Sequence, residues 1–411
     1  MKTRFIDRFM RAAVRPVGRA VAVVVAVVAM LLALWYADRT SYSDGSDTMN
    51  MKLLHIGSIL VGRGDTPMPA DYLPINIGYD RELVDVADQY GMPLGNLDVT
   101  DRAKLLRFAE ALDAADYRAL VIDVFFDAAL PAPGDTVLLR QLSKMPNVVL
   151  PQHRDAELSP LVPVEMTAIG DYSTDALENN FVKYPFVWHD EGVSLAERVS
   201  EICGGHRSWR DMTTMILPID IRISEQYDAD GNQNWYNLGC DVLDVYTPDE
   251  IRRLANNRII VVGDYSGGDM HDTYAGPISG PVIIINAIDA ANRGILPVHP
   301  LEVLSFVALF LLIAWLSIYN RSWRLRLTIP AARRVVSFIG FLLPFRRGVM
   351  RHFGTLVRWI AGFLSYATLI VILQLTIYWM CGRIHDISLV AALLIVITFY
   401  SQKINSNHSQ S

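Results

Sequence analysis

Cysteine is scarce in this chain of 411 residues, and the motifs of the common nucleotide-binding and hydrolytic sites are missing. Of the three cysteines, Cys203 and Cys240 either form a disulfide or remain two unpaired thiols, and Cys381 is a lone apolar residue. The chain contains no G-x-x-x-x-G-K-S/T, G-x-S-x-G, H-x-H or H-E-x-x-H pattern, so a phosphate loop, a nucleophile elbow and a catalytic zinc site have no sequence basis. These absences predict a protein that is not an enzyme and that holds no cofactor.

Acidic residues are nearly missing outside the middle of the chain. Residues 38–302 hold 41 of the 43 acidic residues but only 20 of the 37 basic ones, a net charge of −21. Residues 1–19 carry six basic residues and one acid, and residues 320–358 carry nine arginines and no acid. Because basic flanks stay in the cytoplasm, this division predicts that the acidic segment lies outside the plasma (inner) membrane, with both termini in the cytoplasm.

Charge is also missing from four long apolar runs, whose lengths predict that they lie in the membrane. A bilayer core of about 30 Å needs roughly 20 helical residues, so the runs predict an all-α part of four transmembrane helices in a multi-pass protein. Trp35 and Tyr36 at the end of the first run favour a retained anchor over a cleaved signal peptide. The predicted order is a basic N-terminus (1–19), helix 1 (20–37), the outer domain (38–302), helix 2 (303–320), an arginine-rich cytoplasmic loop with an interfacial helix (321–358), helix 3 (359–382), an outer turn (383–386), helix 4 (387–402) and a cytoplasmic tail (403–411).

Strand-like and helix-like patterns alternate within the outer domain. The runs typical of strands include Leu73–Asp80, Arg118–Phe126, Asn147–Pro151, Asn180–Trp188 and Thr214–Ile223. Those with helical periodicity or caps are Thr100–Asp116, Gly134–Lys144, Ser194–Gly205 and Thr247–Asn257. This alternation predicts an α/β fold with a mainly parallel sheet and helices on both faces.

The segment Arg258–Ala287 contains the densest group of potential ligands. Two β-branched runs, Ile259–Val262 and a final strand at Val282–Ile285, enclose glycines, aspartates and one histidine. The side chains that offer hard oxygens or an imidazole are Asp264, Asp269, His271 and Asp272. They would suit a divalent cation, but Asp/Gly-rich loops after strands more often turn the chain, and no metal site is predicted.

Asp80 and Asp123 follow apolar strand runs. In α/β folds, residues at the carboxyl ends of parallel strands line the crevice where ligands bind; a helix cap or a solvated strand end is the alternative interpretation. These two aspartates and the four loop residues named above form the candidate ligand-binding set, and no residue is predicted to be catalytic.

Three stretches resemble the CHASE2 sensor architecture of bacterial membrane receptors. The first is "INIGYD" followed by Gly91, Pro93 and Arg102, the second is the strand with a central Asp123, and the third is the closing segment. The parts of the closing segment that carry the resemblance are Ile260–Gly263, Asp269–Thr273, Gly280, Asn286–Ala287 and Gly294–Leu296. The family's tryptophans are missing from the first stretch, and no effector domain follows the last apolar run.

The resemblance implies a sensor that detects a small molecule, an ion or an envelope condition and signals through its transmembrane helices to a separate cytoplasmic or membrane effector. It also implies pairing as a homodimer. The alternative function is a non-sensory structural or assembly subunit of a cell-envelope complex. The arginine-rich loop suits anionic lipid of the bilayer, and without an aromatic platform it does not indicate nucleic-acid binding.

Overall fold

The computed structural model describes residues 66–87, 92–174, 180–188, 191–205, 214–223 and 233–293, with isolated positions at 28, 48, 51, 52, 55 and 56. The chain divides into two units, Asp38–Pro297 and Met1–Ala37 with Val298–Ser411. Apart from position 28, the described residues belong to the first unit, and the fold below is that of this unit.

The described residues form short strands and helices. The strands are β1 (Tyr72–Asn76), β2 (Arg81–Ala87), β3 (Pro93–Thr100), β4 (Ala119–Ile122), β5 (Val148–Gln152), β6 (Thr167–Ile169), β7 (Ser173–Thr174), β8 (Phe181–Trp188), β9 (Gly192–Val193), β10 (Met215–Pro218), β11 (Tyr236–Asn237), β12 (Ile259–Gly263), β13 (Met270–Thr273) and β14 (Gly276–Ser279). The α-helices are α1 (Arg102–Ala111), α2 (Asp135–Leu142), α3 (Leu195–Ile202), α4 (Pro248–Ala255) and α5 (Gly280–Asn292). A 3₁₀ turn, Val164–Met166, and a π-helical turn, Leu238–Leu243, complete the set.

A six-stranded parallel sheet forms the centre of the fold. Its strand order is β11-β1-β12-β4-β5-β6, and every neighbouring pair is parallel. The register places Leu73 beside Ile260 and Ile260 beside Leu120. All residues of β1, β4 and β12 are buried, as expected for strands that are covered on both faces.

Helices cover both faces of this sheet. Alternate strand residues such as Leu120 and Ile122 join one core cluster with Leu105 and Phe108 of α1 and with apolar residues of α2 and α4. On the opposite face, α3 packs against β4 and β5 and α5 packs against β12. The α/β part of the predicted fold class is therefore present, with the parallel sheet in its centre.

A second sheet has the order β10-β8-β13-β14, with β7 and β9 also paired to β8. Strand β13 joins β8 in parallel at Thr273 and Phe181 and pairs antiparallel with β14. The connection from β13 to β14 is a tight turn in which Gly276 has a φ of 109°, a conformation that favours glycine. Strands β2 and β3 form a separate two-stranded ribbon.

The predicted fold class is wrong in its all-α membrane part. The longest helix among the described residues, α5, has 13 residues, and no described helix is both long and apolar enough to span a bilayer. The described helices are short because each covers one face of a sheet. The predicted spans 20–37, 303–320, 359–382 and 387–402 lie outside the described residues, apart from position 28.

The apolar run Val282–Ile285 is also different from its predicted form. It lies within helix α5 and is not a strand. Ser279 occupies the N-cap position and Pro281 lies in the first turn, where proline is favoured because its missing N–H has no helical partner. Burial of the run against β12 and α3 outweighs the weak preference of β-branched residues for strands.

A buried ion pair joins the starts of α1 and α2. Arg102 Nε donates to Asp135 Oδ1 at 2.7 Å, and the two side chains are only 5% and 7% exposed. The guanidinium also donates to the Thr100 carbonyl oxygen at 3.3 Å and lies over the Phe126 ring at 4.9 Å from its centre. Asp135 Oδ2 accepts from the Ala132 N–H at 2.8 Å, so both charged groups are multiply satisfied.

We expect Arg102→Met to lower the free energy of unfolding by about 3–5 kcal/mol, because it leaves the Asp135 carboxylate buried without its cation. The matched control is Arg252→Met: Arg252 pairs with the exposed Asp249 on the surface of α4, and loss of such a surface pair lowers stability by less than about 1 kcal/mol. Urea unfolding of the full-length chain measures both. Equal losses in the two variants would contradict the assigned role of the buried pair.

Candidate functional site

The carboxyl ends of the parallel strands meet at one edge of the large sheet, and the polar side chains there form two groups. Beyond β1, β11 and β12 lie Asn76, Asp80, Asn237 and Asp264, which we call the polar junction. Beyond β4, β5 and β6, together with the start of β13, lie Asp123, His153, Asp171, Tyr172, Asp269 and His271, which we call the edge cluster.

Asn76 organises the polar junction. It is fully buried, and its Oδ1 accepts from the N–H groups of Gly78 and Tyr265, each at 3.0 Å. Its Nδ2 donates to Asn237 Oδ1 at 2.9 Å. One side chain thus satisfies backbone donors in the loops after β1 and β12 and connects them to β11.

Asp80, a predicted ligand residue, has a structural position in the junction. It is 4% exposed and accepts from Lys104 Nζ at 2.6 Å and from the Gly239 N–H at 3.0 Å. The hydrogen bond to Asp80 raises the pKa of Lys104 above its usual value. Asp80 therefore joins α1 to the π-helical turn and does not face an open crevice.

Asp264 also stabilises the backbone. Its Oδ1 accepts from the N–H and hydroxyl of Ser266 at 2.9 and 2.8 Å, and its Oδ2 accepts from Arg81 Nη2 at 3.2 Å. Burial disfavours the charged form, but the Ser266 hydrogen bonds and the Arg81 guanidinium outweigh it and lower the pKa of Asp264. Asp272 is exposed on β13, on the face opposite His271, because neighbouring strand residues alternate.

Asp123 lies where the edge cluster meets helix α5. Its N–H donates to the Val262 carbonyl oxygen at 2.8 Å, which extends the pairing of β4 with β12. A Cβ placed on Gly263 would lie 2.4 Å from Pro281 Cγ and 3.4 Å from Asp123 Cβ. This close approach needs glycine at position 263 and places the aspartate beside the amino end of α5.

Asp269, His271 and Tyr172 form the second part of the cluster. His271 Nε2 lies 2.8 Å from Asp269 Oδ1 and also contacts the Tyr172 hydroxyl oxygen. A Cβ on Gly280 would lie 2.0 Å from Asp269 Oδ2 and 3.0 Å from that hydroxyl oxygen. The Asp269 carboxylate therefore sits at the amino end of α5, where the helix dipole favours negative charge.

His153 and Asp171 form the third part. His153 Nδ1 lies 2.8 Å from Asp171 Oδ1, while the Arg154 N–H donates to Asp171 Oδ2 at 2.9 Å. The His153 ring packs edge-on against Phe125 with 4.8 Å between ring centres. The Arg154 side chain turns away, pairing with Glu191 and stacking on Trp188.

The cluster perturbs the ionisation of Asp123. Burial, and then the nearby Asp269 carboxylate, raise the pKa of Asp123 from 3.8 to about 7, although His153 and His271 partly oppose the change. Burial also raises the pKa of Tyr172, with further contributions from Asp269 and Asp123. A carboxyl group perturbed by burial and a specific charged neighbour indicates a functional site.

Three of the six predicted ligand residues thus come together in the edge cluster: Asp123, Asp269 and His271. Sequence reasoning missed His153, Asp171 and Tyr172. His153 directly follows β5 and lies two positions after the predicted strand Asn147–Pro151. The rule that ligands bind beyond the carboxyl ends of strands, which selected Asp123, could therefore also have selected His153. Asp171 and Tyr172 follow β6, a three-residue strand that the sequence pattern did not indicate.

The described residues contain no group of three or more histidine, cysteine or acidic side chains arranged to hold a metal ion. A shallow depression lined by Ala114, Asp116, Arg252 and Arg253 lies at the amino edge of the sheet, away from the cluster. Cys203 and Cys240 are both free thiols.

No family model matches the chain, and no curated protein or solved structure is significantly similar to it. The resemblance to the CHASE2 sensors therefore stays a prediction.

We expect the contribution of Asp123 to stability to fall as the pH rises from about 4 to about 7, because the folded state holds the Asp123 proton that the unfolded chain releases near 3.8. A shift of this size corresponds to at most about 4 kcal/mol. Asp123→Asn removes the titrating group and should flatten the decline. Urea unfolding across this pH range measures it, with the exposed Asp272→Asn as control. An unchanged slope in Asp123→Asn would contradict the assignment.

Proposed function

We propose that the α/β body is the ligand-recognition domain of a sensor and that it binds a small ligand at the edge cluster. The observation that supports this most is the convergence of ionisable side chains from both sheets at the carboxyl edge, beside the amino end of α5. Structural polar groups at such an edge satisfy backbone donors, as Asn76 does. Asp171 of the edge cluster also accepts from the Arg154 N–H, but the cluster in addition combines a perturbed carboxyl, two imidazoles and aromatic rings, which is the composition of a recognition site.

The charge distribution supports a position outside the plasma membrane for this body. It belongs to the segment with a net charge of −21, whereas the two segments in which basic residues greatly outnumber acidic ones, 1–19 and 320–358, flank it in the sequence. Short basic segments are retained in the cytoplasm. The sensor would then pass its signal to a separate cytoplasmic or membrane partner, and pairing of two copies would fit the same arrangement.

Helix α5 supplies a route for the signal. Its amino end contacts the cluster at Gly280 and Pro281, and its 13 residues span about 20 Å. The helix is buried along most of its length, and the chain continues from its carboxyl end toward Pro297 and Pro300, which lie outside the described residues. A ligand that displaced Asp269 would shift the amino end of α5. Because the helix is rigid, this shift would also move its carboxyl end.

A second candidate function, an assembly subunit of an envelope complex, is favoured by the β2–β3 ribbon. The ribbon belongs to neither six-stranded sheet, and a two-stranded ribbon is marginally stable on its own. Leu83 and Met92 are 71% and 63% exposed, and the nearby Tyr79 is 67% exposed. Exposed apolar side chains on and beside such a ribbon are typical of a surface that contacts another protein.

Thermal unfolding of the full-length chain with a panel of simple amines, monosaccharides and carboxylic acids tests the sensor proposal. We expect one class to stabilise the wild-type protein by about 3 kcal/mol at one hundred times its Kd. Asp269→Asn and His271→Gln should lose this effect, while Asp272→Asn, on the outer face of the same strand, should keep it. The proposal fails if no class stabilises the protein or if the cluster variants respond as the wild type does.

The assembly function makes a different prediction. Leu83→Ser should release a stoichiometric protein partner that copurifies with the wild-type chain, since replacement of an apolar contact at an interface commonly weakens binding more than tenfold, or by about 1.4 kcal/mol. The exposed apolar Val164, which is outside the ribbon, gives the control Val164→Ser. Purification without any stoichiometric partner would remove this candidate.

A further inference from the structure

Strand β2 has an outer edge that no other strand of the described residues covers. It pairs with β3 alone, and at the start of this pairing the Asp101 N–H donates to the Asp80 carbonyl oxygen at 2.8 Å. Inward and outward backbone groups alternate along an antiparallel pair. Because Asp80 faces β3, the next residue and every second one after it face away. The residues with outward N–H and carbonyl groups are Arg81, Leu83 and Asp85.

The side chains of these three residues lie on one face of the ribbon, because strand residues alternate between faces. Leu83, in the middle, is 71% exposed. Arg81 contacts Asp264 and Asp98 at 3.2 and 3.8 Å, yet its side chain remains 38% exposed. Asp85 is exposed, and it has no ion pair or hydrogen-bonded side-chain partner among the described residues. The uncovered edge thus presents a cation, an apolar side chain and an anion in that order.

This order is complementary to itself when a second copy runs antiparallel. A two-fold axis at Leu83 places Leu83 opposite its own copy and Arg81 opposite Asp85 on both sides of the axis. An axis at Arg81 or at Asp85 would place like charges opposite each other, which is destabilising. An axis at Glu82 or Val84 would place Leu83 opposite a charged side chain. Among the axes within this stretch, only the one at Leu83 pairs opposite charges and apolar side chains together.

We propose that the outer edge of β2 is an interface between two copies of this chain, which join edge to edge in a four-stranded sheet of order β3-β2-β2-β3. The outward backbone groups then find partners, so that an edge open to pairing with other chains is closed. Three or more strands with an apolar face are needed for independent stability, and the joined sheet has four. The interface goes beyond the proposed ligand site, because it needs no ligand. It also differs from the assembly function, in which a different protein covers the ribbon.

Disulfide formation by Leu83→Cys in the full-length chain tests the interface and its register. Residues that exchange both hydrogen bonds across an antiparallel pair have Cα atoms about 5.5 Å apart, a distance that a disulfide spans. We expect oxidised Leu83→Cys to migrate mainly as a dimer under non-reducing conditions. The wild-type chain, with its free thiols Cys203 and Cys240, gives the background from native cysteines.

Asp85→Cys is the matched control, on the same face of the same strand. In the proposed register, position 85 lies opposite Arg81 of the second copy and about 13 Å from position 85 of that copy, which is too far for a disulfide. This variant should therefore give no more dimer than the wild type. Equal cross-linking at the two positions, or no dimer of Leu83→Cys above the wild-type background, overturns the proposal.

An exchange of charges gives a second measurement, by sedimentation of the ligand-free chains. Arg81→Asp places carboxylates opposite each other and Asp85→Arg does the same with guanidinium groups, so each variant alone should raise the Kd of the dimer about tenfold. A mixture of the two variants restores opposite charges at both pairs. We expect its Kd to return to within about threefold of the wild-type value.

A mixture that associates no better than its components overturns the proposal. The same holds if the wild-type chain stays monomeric and a different protein copurifies through Leu83, which would assign the ribbon to the assembly function. If Arg81→Asp does not fold, because it also loses the contact with Asp264, the disulfide measurement decides alone. No ligand is present in these experiments, so their failure leaves the ligand proposal standing, and the reverse also holds.

Discussion

All six strands of the large sheet run in one direction, and the position of every candidate functional residue depends on this constraint. Parallel neighbours cannot be joined by a tight turn, so each return to the sheet needs a crossover connection. The crossovers bury α1, α2 and α4 on one face, and α3 and α5 cover the other. Every loop that follows a strand consequently leaves at the same edge, where Asn76, Asp80, Asp123 and His153 all lie.

The side chains in the two halves of that edge make different kinds of hydrogen bond. Backbone N–H groups buried at the ends of β1 and β12 need acceptors, and Asn76 and Asp264 provide them. At the ends of β5 and β6 the polar side chains contact one another, as His153 does with Asp171, and Tyr172 contacts His271 of the second sheet. The contacts of Asn76 therefore stabilise the backbone, whereas His271 contacts the side chains of Asp269 and Tyr172.

Two aspartates show how the surroundings decide ionisation. Asp264 and Asp123 both follow central strands, but Asp264 receives hydrogen bonds from Ser266 and Arg81, which lower its pKa. Asp123 is instead half-buried near the carboxylate of Asp269, and desolvation and then that negative charge raise its pKa to about 7. The same residue type at equivalent strand ends thus has opposite electrostatic behaviour, because only one of them has a cationic partner.

The sequence by itself determined the main elements of the α/β body. The apolar runs at β1, β4, β5 and β12 and the caps of α1 and α4 are local signals, and they predicted strands and helices close to those observed. The tertiary structure alone decided that Val282–Ile285 is helical, because its burial outweighs its strand preference. It also brought Tyr172 to His271, 99 positions away, through a pairing of two sheets that no local pattern encodes. The sequence specifies which side-chain groups are present, but the distances between these groups in a site depend on how separate elements pack.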